Sequence, residues 1–215
     1  MDKRARLLRA RLYVVTDART RQGDLPRFLG AILEAGADVV QLREKEAEAG
    51  DLLRWAVSFR EAATSHGALF TVNDRADVAL AAEADGVHLG QNDLPPRRAR
   101  EILGPEAIVG LSCHSKEQLE TAPPEADYVT AGPIHETPTK PGRPGTGVEV
   151  VRHAVAAVSR PWFAIGGINA ETLTAAVGAG ARRIVVVRAV TDAADPGAAI
   201  RALLDGLPPT SPEPK

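Results

Sequence analysis

The sequence predicts a single α/β domain that closes as a (β/α)8 TIM barrel. Short apolar, β-branched segments alternate with longer segments of helical period, and eight such units follow one another along the chain. Small residues that include glycine recur where a helix gives way to a strand, as in 34–38 and 178–181. Apolar strands separated by amphipathic helices form a helix-covered parallel sheet, and eight units favour closure over the alternative, a doubly wound open sheet.

The strands are predicted from short apolar runs between turn residues. In chain order they are Leu12–Val15, Val39–Leu42, Leu69–Val72, Gly86–Leu89, Ile108–Leu111, Ala126–Ala131, Trp162–Ile165 and Ile184–Val187. The helices that follow them are predicted over Pro26–Ala35, Leu52–Ala63, Ala76–Ala84, Pro96–Leu103, Lys116–Thr121, Val148–Val158, Ala170–Ala179 and Pro196–Leu204. The basic segment 1–11 is a lead-in, the barrel domain spans 12–206, and the proline-rich tail 207–215 is expected to be disordered.

The composition is that of an ordinary soluble globular protein, with 44% hydrophobic and 25% charged residues. A net charge of −2 gives no general attraction to nucleic acid or to a membrane surface, so small molecules are the expected partners and a homo-oligomer stays open. A single cysteine, Cys113, excludes an intramolecular disulfide, and the chain shows no secretory signal. We therefore expect a cytoplasmic protein. Cys113 and its neighbour His114 should point to opposite faces, which argues against a nucleophile–base pair.

The stretch from Gly132 to Gly147 follows the sixth predicted strand and combines hydroxyls, glycines and many prolines with the cations Lys140 and Arg143. So many prolines exclude a helix or a central strand. The residue types are those of an anion-binding loop, and a solvated surface connection is the alternative.

A barrel carries its functional groups at the carboxyl ends of its strands. The second strand ends in Gln41, Arg43 and Lys45, which alternation places on one side. Asp74 and Asp93 follow the third and fourth strands and could share a Mg²⁺ with substrate phosphates, although each could instead cap the following helix. His88 is either a hydrogen-bonded barrel residue or a contact to a substrate ring.

The seventh strand ends in Gly166-Gly167, whose backbone N–H groups could approach a phosphate at a helix N-terminus. The eighth ends in Val187-Arg188. Loops after these two strands form the recurrent phosphate site of TIM barrels, so a monophosphate is predicted here. Two anion sites facing each other indicate a reaction that joins two phosphorylated substrates.

Together these segments resemble the thiamine phosphate synthase family, also called thiamine-phosphate pyrophosphorylase. The resemblance covers Leu12 to about Leu204, in the stretches Leu12–Asp17, Val40–Lys45, Val72–Asp74, Ala84–Gln91, Gly132–Ile134, Thr137–Lys140 and Ala164–Ile168. It implies an enzyme of thiamine biosynthesis that joins 4-amino-2-methyl-5-hydroxymethylpyrimidine diphosphate to a thiazole phosphate, giving thiamine phosphate and pyrophosphate. It also implies Mg²⁺ as the cofactor.

The resemblance further implies a role for each matching residue. The pyrimidine diphosphate is held by Gln41, Arg43, Lys45, Asn73, Ser112 and Lys140, and Asp74 and Asp93 bind Mg²⁺. The thiazole phosphate is held by Thr137, Thr139, Gly167, Val187 and Arg188. The implied chemistry is ionisation, in which pyrophosphate leaves first and Arg43, Lys45, Lys140 and Ser112 act on the reacting diphosphate.

One residue departs from the family pattern, because many members have serine where this chain has Arg188. The nearest alternative is the sister family of thiazole tautomerases, which has a Ser-x-His-Ser stretch like Ser112–Ser115. The tautomerase motif, however, has a histidine where this chain has Pro133, and it lacks the full Thr-x-Thr-Lys of 137–140. A non-catalytic regulator on the same barrel is a second alternative, which the retained acidic and basic residues oppose.

Overall fold

The computed structural model describes residues 2–136 and 145–210 of the chain. Eight parallel strands pair in chain order, and the last pairs with the first, so the predicted (β/α)8 barrel is confirmed. The strands are β1 Leu12–Thr16, β2 Val39–Leu42, β3 Leu69–Asn73, β4 Gly86–Leu89, β5 Ile108–Cys113, β6 Tyr128–Ala131, β7 Trp162–Ile165 and β8 Ile184–Val186.

Helices cover the outside of this barrel. They are α1 Lys3–Arg9, α2 Leu25–Glu34, α3 Ala49–His66, α4 Ala76–Ala81, α5 Pro96–Leu103, α6 Lys116–Glu120, α7 Glu149–Ala157, α8 Leu173–Gly178, α9 Arg188–Thr191 and α10 Pro196–Gly206. Their apolar faces bury one large core against the outer face of the strands. Among the helices of the described ranges, none is long and apolar enough to cross a membrane.

Most elements begin or end one to three residues from their predicted bounds, and three differences are informative. β6 begins at Tyr128 rather than Ala126, because Asp127 turns its carboxylate toward the backbone N–H of Val109, 2.8 Å away. α8 begins at Leu173 rather than Ala170, because the side chain of Asn169 accepts the next free N–H groups in a turn. The short α9 was not predicted, since four residues are too few to show a helical period.

Aspartates join the strands in pairs at the amino end of the barrel. Asp38, Asp85 and Asp127 each stand directly before an even-numbered strand. Each accepts a backbone N–H of the preceding odd-numbered strand: Asp38 from Leu12 at 3.0 Å, Asp85 from Phe70 at 2.9 Å and Asp127 from Val109 at 2.8 Å. These bonds satisfy buried amides and hold the strand starts in register.

The lead-in helix α1 forms the floor of the barrel. Its Leu7 and the following Ala10 are buried in the barrel interior. Arg4 and Arg6 extend from the same helix to the strand-joining aspartates, with Arg4 Nε 3.0 Å from Asp127 and Arg6 Nη2 3.2 Å from Asp85. Residues 2–11 therefore pack with the barrel rather than only leading into it.

The start of the predicted disordered tail is ordered instead. Leu207 is only 4% exposed and packs in the outer core, and its carbonyl accepts a hydrogen bond from Arg11. The prediction of disorder is therefore wrong for Leu207, because a single apolar residue after α10 suffices to anchor the chain there. Residues 211–215 lie outside the described part.

An aromatic layer fills the middle of the barrel. Tyr13, Tyr128 and Phe163 pack against each other with ring centroids 5.6–6.0 Å apart. The layer depends on Gly110, because a Cβ at this position would lie 2.1 Å from Cζ of Tyr128. Glycine is therefore the residue that β5 needs beside the Tyr128 ring.

We expect Gly110→Ala to lower the free energy of unfolding by about 1–3 kcal/mol, the usual cost of overpacking a core. Gly30→Ala in α2 is the matched control, since a Cβ there meets nothing within 4 Å and should raise stability by roughly 0.5–1 kcal/mol. Urea denaturation of both variants gives the two values. Equal stability of the two variants would show that the Tyr128 ring does not need this space.

Candidate active site

A cavity of about 510 Å³ opens at the carboxyl ends of the strands. Seven of the predicted site residues line it: Gln41, Arg43, Asn73, Ser112, Gly167, Val187 and Arg188. Lys45, Asp74 and Asp93 do not line it but form a cluster at the same rim. The barrel therefore brings together the predicted residues from six different strand ends.

One side of the cavity carries amides, a hydroxyl and a guanidinium. Gln41 and Ser112 are 2% and 5% exposed, so both are fixed in the barrel wall. Arg43 directly follows β2, is half-buried and lines the same side of the cavity. No carboxylate of the described residues forms an ion pair with Arg43, so its charge is available to an anion in the cavity.

The acidic cluster beside this wall contains two carboxylates and a lysine. Lys45 Nζ lies 3.1 Å from Asp74 Oδ2, and Asp93 is within hydrogen-bonding reach of Asp74. The pKa of Asp74 is raised above its ordinary value because the carboxyl is buried and because Asp93 lies beside it, with Lys45 opposing both effects. Asp74 also has φ of 61°, a left-handed conformation that aspartate and asparagine tolerate better than most residues.

Neither aspartate caps a helix, which was the alternative interpretation. α4 begins after Arg75 and α5 after Pro95, and neither helix receives a side-chain cap. Asp93 instead accepts the backbone N–H of Gly90 at 2.7 Å. The left-handed backbone of Asp74 and this turn direct the two carboxyls toward each other.

The opposite side of the cavity is built from backbone after β7 and β8. Gly166 and Gly167 have φ of 108° and 66°, and a Cβ on Gly166 would lie 2.5 Å from Cα of Pro133. The N–H groups of Gly167 and Arg188 have no backbone acceptor within the described residues. The start of the helix after β7 was predicted to offer N–H groups to a phosphate. It offers fewer of them, because the side chain of Asn169 already accepts the N–H groups of Glu171 and Thr172.

The long loop after β6 is anchored at its base. Ile134 N–H donates to the carbonyl of Ile165 in β7 at 2.8 Å, and Thr146 N–H donates to the carbonyl of Pro133 at 2.8 Å. The two described ends of the loop thus lie side by side at the cavity rim. The predicted contacts Thr137, Thr139 and Lys140, and the unassigned Arg143, lie outside the described residues.

A chain of buried hydrogen bonds runs beneath the cavity. Gln41 Nε2 donates to the Tyr13 hydroxyl at 2.5 Å, and Tyr13 contacts the Thr71 hydroxyl at 2.7 Å and that of Tyr128 at 3.0 Å. From Tyr128 the chain continues 3.0 Å to His88 Nδ1, and His88 Nε2 lies 2.9 Å from Ser112 Oγ.

The sequence analysis named Gln41 and Ser112, the members of this chain that face the predicted substrate, and missed Tyr13, Thr71 and Tyr128. The available signal was a tyrosine in the middle of an apolar strand, because a buried phenol needs a hydrogen-bond partner. Burial raises the pKa of both tyrosines, so both phenols are neutral. His88 is a hydrogen-bonded barrel residue, as one interpretation predicted, and it also lines the cavity.

Cys113 and His114 point in different directions, as expected. Cys113 is buried in the outer core, its Sγ lies 3.3 Å from the Gln118 carbonyl, and burial raises the pKa of its thiol to about 11. His114 lines the cavity, with Nδ1 2.6 Å from the carbonyl of Gly132. Cys113 is therefore a packing residue and not a nucleophile.

The chain is similar in sequence and structure to proteins of one family. A family model described as thiamine monophosphate synthase matches residues 12–190. A thiamine-phosphate synthase of Acidothermus cellulolyticus is 57% identical, covering 91% of this chain and 94% of that protein. One of Saccharopolyspora erythraea is 52% identical, covering 93% of this chain and 94% of the relative.

Solved structures agree with these sequence matches. The structure of a thiamine phosphate pyrophosphorylase from Pyrococcus furiosus has a TM-score of 0.83 and 35% identity, covering 94% of this chain and 96% of that one. A 3-hexulose-6-phosphate synthase, at 18% identity and a TM-score of 0.67, shares the fold alone. The site geometry and these matches lead to one conclusion: the chain belongs to the thiamine monophosphate synthase family.

Proposed function

We propose that this barrel, an enzyme of thiamine phosphate synthesis, joins the pyrimidine diphosphate to the thiazole phosphate across the cavity described above and releases pyrophosphate. The observation that carries this proposal is the division of one cavity into two anion-binding sides. Arg43 and polar side chains form one side, and the N–H groups of Gly167 and Arg188, which have no backbone acceptor among the described residues, form the other. A volume of about 510 Å³ accommodates two small molecules side by side.

On the first side, Gln41, Asn73 and Ser112 would orient the pyrimidine diphosphate, because all three line the cavity and offer fixed polar groups. Arg43 and Lys45 would stabilise the negative charge that grows on the leaving diphosphate. Lys140 would add a further cation from the loop whose base lies at the cavity rim. These assignments follow the family resemblance, and the placement of the described residues supports them.

The Asp74–Asp93 pair fits Mg²⁺. Two carboxyls within hydrogen-bonding reach repel each other when both are ionised, and the raised pKa of Asp74 reflects this repulsion together with burial. Hard oxygen ligands of this kind suit Mg²⁺, which commonly binds one or two carboxylates plus substrate phosphates and water. Within the described residues no group of three or more His, Cys, Asp or Glu could hold a metal ion, so substrate or water oxygens would have to complete the coordination.

On the second side, Thr137 and Thr139 would hold the thiazole phosphate together with the backbone of Gly167 and of Val187–Arg188. Two left-handed glycines let the backbone approach an anion closely, and the adjacent N–H groups have no competing acceptor in the described structure. Arg188 is exposed at the rim and can add a guanidinium where many relatives have serine.

The reaction needs no protein nucleophile. The C–O bond between the pyrimidine methylene and the diphosphate breaks, and its electron pair leaves with pyrophosphate. The thiazole nitrogen then donates its lone pair to the resulting cation and forms the new C–N bond. Bound Mg²⁺ would supply positive charge to the departing diphosphate, while Arg43, Lys45 and Lys140 stabilise the same charge and the cavity walls limit access of water.

We predict that the protein forms thiamine phosphate from the two phosphorylated precursors only when Mg²⁺ is present. Asp74→Asn should weaken activation by Mg²⁺ by about 10–100-fold, the scale known for weakened metal sites. Asp77→Asn is the matched control, because that carboxylate is 62% exposed and pairs with Arg75 on the surface. Product formation is measured at increasing Mg²⁺ concentration for all three proteins.

Failure to form product from both precursors with Mg²⁺ would refute the synthase activity. Proton exchange on the thiazole in the presence of a chelator would instead support the tautomerase alternative, with His114 at the cavity as the candidate acid–base group. Binding of both precursors without turnover would support the regulator alternative.

A second prediction concerns the stability of the metal-free protein. Since the folded pKa of Asp74 is raised, the fold binds this proton more tightly than the unfolded chain does, and stability falls as pH rises through the two pKa values. Asp74→Asn removes this penalty, and asparagine tolerates the left-handed backbone. The ion pair with Lys45 opposes the gain by only about 0–1 kcal/mol, because that lysine is 46% exposed.

Asp74→Asn should therefore be more stable than the natural protein at pH 7 in the presence of a chelator, and the difference should shrink toward acidic pH. Urea unfolding of both proteins between about pH 4 and pH 7 tests this. An asparagine variant that is less stable at pH 7 would show that Asp74 is favourably ionised in the metal-free fold.

A third prediction concerns the loop. Lys140→Ala should reduce turnover by about 10²–10³-fold, as expected when one stabiliser of developing charge is lost. Lys116→Ala removes a lysine at the exposed start of α6 and should leave turnover unchanged. Single-turnover kinetics of both variants separate chemistry from product release. An unaltered rate for Lys140→Ala would exclude this lysine from the chemical step.

A further inference from the structure

The hydrogen-bond chain beneath the cavity has a definite direction, which follows from where its hydrogens can go. At its closed end, the Thr71 hydroxyl is 1% exposed, and its one hydrogen-bond partner among the described residues is the Tyr13 hydroxyl. Gln41 also donates to Tyr13. A phenol oxygen accepts at most two hydrogen bonds and donates one, so Tyr13 has three neighbours for three positions.

Two arrangements of these hydrogens can be compared. If Tyr13 donates to Thr71, the hydrogen of Thr71 has no acceptor within the described residues and stays buried. If Thr71 donates to Tyr13, every hydrogen is used, and only a lone pair of Thr71 remains without a partner. A buried donor without an acceptor is the more costly of the two, so Thr71 donates to Tyr13. Tyr13 then accepts from both Gln41 and Thr71 and must donate to Tyr128.

The direction is transmitted to His88. Tyr128 accepts from Tyr13, so its own hydrogen goes to its other neighbour, Nδ1 of His88 at 3.0 Å. A neutral imidazole whose Nδ1 accepts carries its proton on Nε2. That N–H donates to Ser112 Oγ at 2.9 Å. Ser112 lines the cavity, and its own hydroxyl hydrogen is left for an acceptor there.

We propose that Tyr128 is a positioning residue that holds His88 as the Nε2–H tautomer, so that Ser112 acts as a hydrogen-bond donor to the substrate. The tautomer follows from the described contacts alone. The identity of the acceptor rests on the proposed function, in which Ser112 faces an oxygen or ring nitrogen of the pyrimidine diphosphate.

The packing around Tyr128 keeps this geometry fixed. The Tyr128 and His88 rings stack at 26° with centroids 5.6 Å apart, and Phe163 packs edge-on against Tyr128 at 5.6 Å. Gly110 leaves the space in β5 that the Tyr128 ring occupies. The phenol therefore cannot rotate away from His88 without opening a gap in the barrel interior.

The test is nitrogen-15 NMR of the His88 imidazole at pH 8, where an ordinary imidazole is neutral. We expect the natural protein to show the Nε2–H tautomer in about tenfold excess or more. Tyr128→Phe keeps the ring but removes the donor to Nδ1, and this excess should fall about tenfold. Thr71→Val also removes a buried hydroxyl of the chain, but it leaves Tyr13 donating to Tyr128 and should keep the Nε2–H tautomer.

Activity gives a second, independent measurement. Tyr128→Phe should lower kcat/KM for the pyrimidine diphosphate about tenfold and leave KM for the thiazole phosphate unchanged, whereas Thr71→Val should change neither by more than about twofold. A purely structural role of the buried hydroxyls would make the two variants behave alike.

An Nδ1–H tautomer in the natural protein would overturn the proposal without any variant. Equal tautomer ratios in Tyr128→Phe and Thr71→Val would also overturn it. If instead the protein forms no thiamine phosphate but shows the expected tautomers, the proposed function fails and the inference about Tyr128 and His88 stands.

Discussion

Pairing of β1 with β8 is the constraint on which the rest of the molecule depends. Leu12 aligns with Ile184 and Val14 with Val186, and this ladder turns an eight-stranded sheet into a closed barrel. In an open sheet of the same strand order, β2 and β8 would lie near opposite edges. Closure instead separates them by β1 alone, so Arg43 and Arg188 line a common recess of about 250 Å³ as well as the main cavity.

Closure also sorts the barrel interior into layers. On β3, Leu69, Thr71 and Asn73 follow one another at every second position, so the inward-facing side chains change from apolar to polar along the strand. The apolar end packs on Leu7 and Ala10 of the amino-terminal segment. The polar end faces the cavity. The hydrogen-bonded middle layer joins the two because its hydroxyls find partners on other strands, including strands across the barrel.

The fold was predictable because periodicity and turn chemistry are local properties of the sequence. Three strands and one helix have the bounds that the sequence predicts: Val39–Leu42, Gly86–Leu89, Trp162–Ile165 and Pro96–Leu103. The carboxyl-end rule pointed to Gln41 and the family resemblance to Ser112, and both line the cavity. Periodicity gives no information on partners across the barrel, so the contacts of Tyr128 with Tyr13 and His88 could not be read from the sequence.

Boundaries failed where a side chain takes over a backbone hydrogen bond. Asn169 accepts the N–H groups that a helix beginning at Ala170 would have left free, and the helix starts later. Asp127 likewise accepts the N–H of Val109 in the preceding strand, β5, and β6 starts only after it, at Tyr128. In both cases the residue was visible in the sequence, but which backbone group it binds depends on the folded chain.

The charges at the cavity rim bear on the role of the acidic pair. Two cations, Arg43 and Lys45, stand beside two carboxylates, Asp74 and Asp93, so the formal charges of these four side chains cancel. Lys45 is moreover already paired with Asp74 at 3.1 Å. Two adjacent carboxyls, one of them with a raised pKa, are unfavourable beside an anionic substrate unless a cation lies between them. Under the proposed function, a divalent cation held by Asp74 and Asp93 would relieve this repulsion.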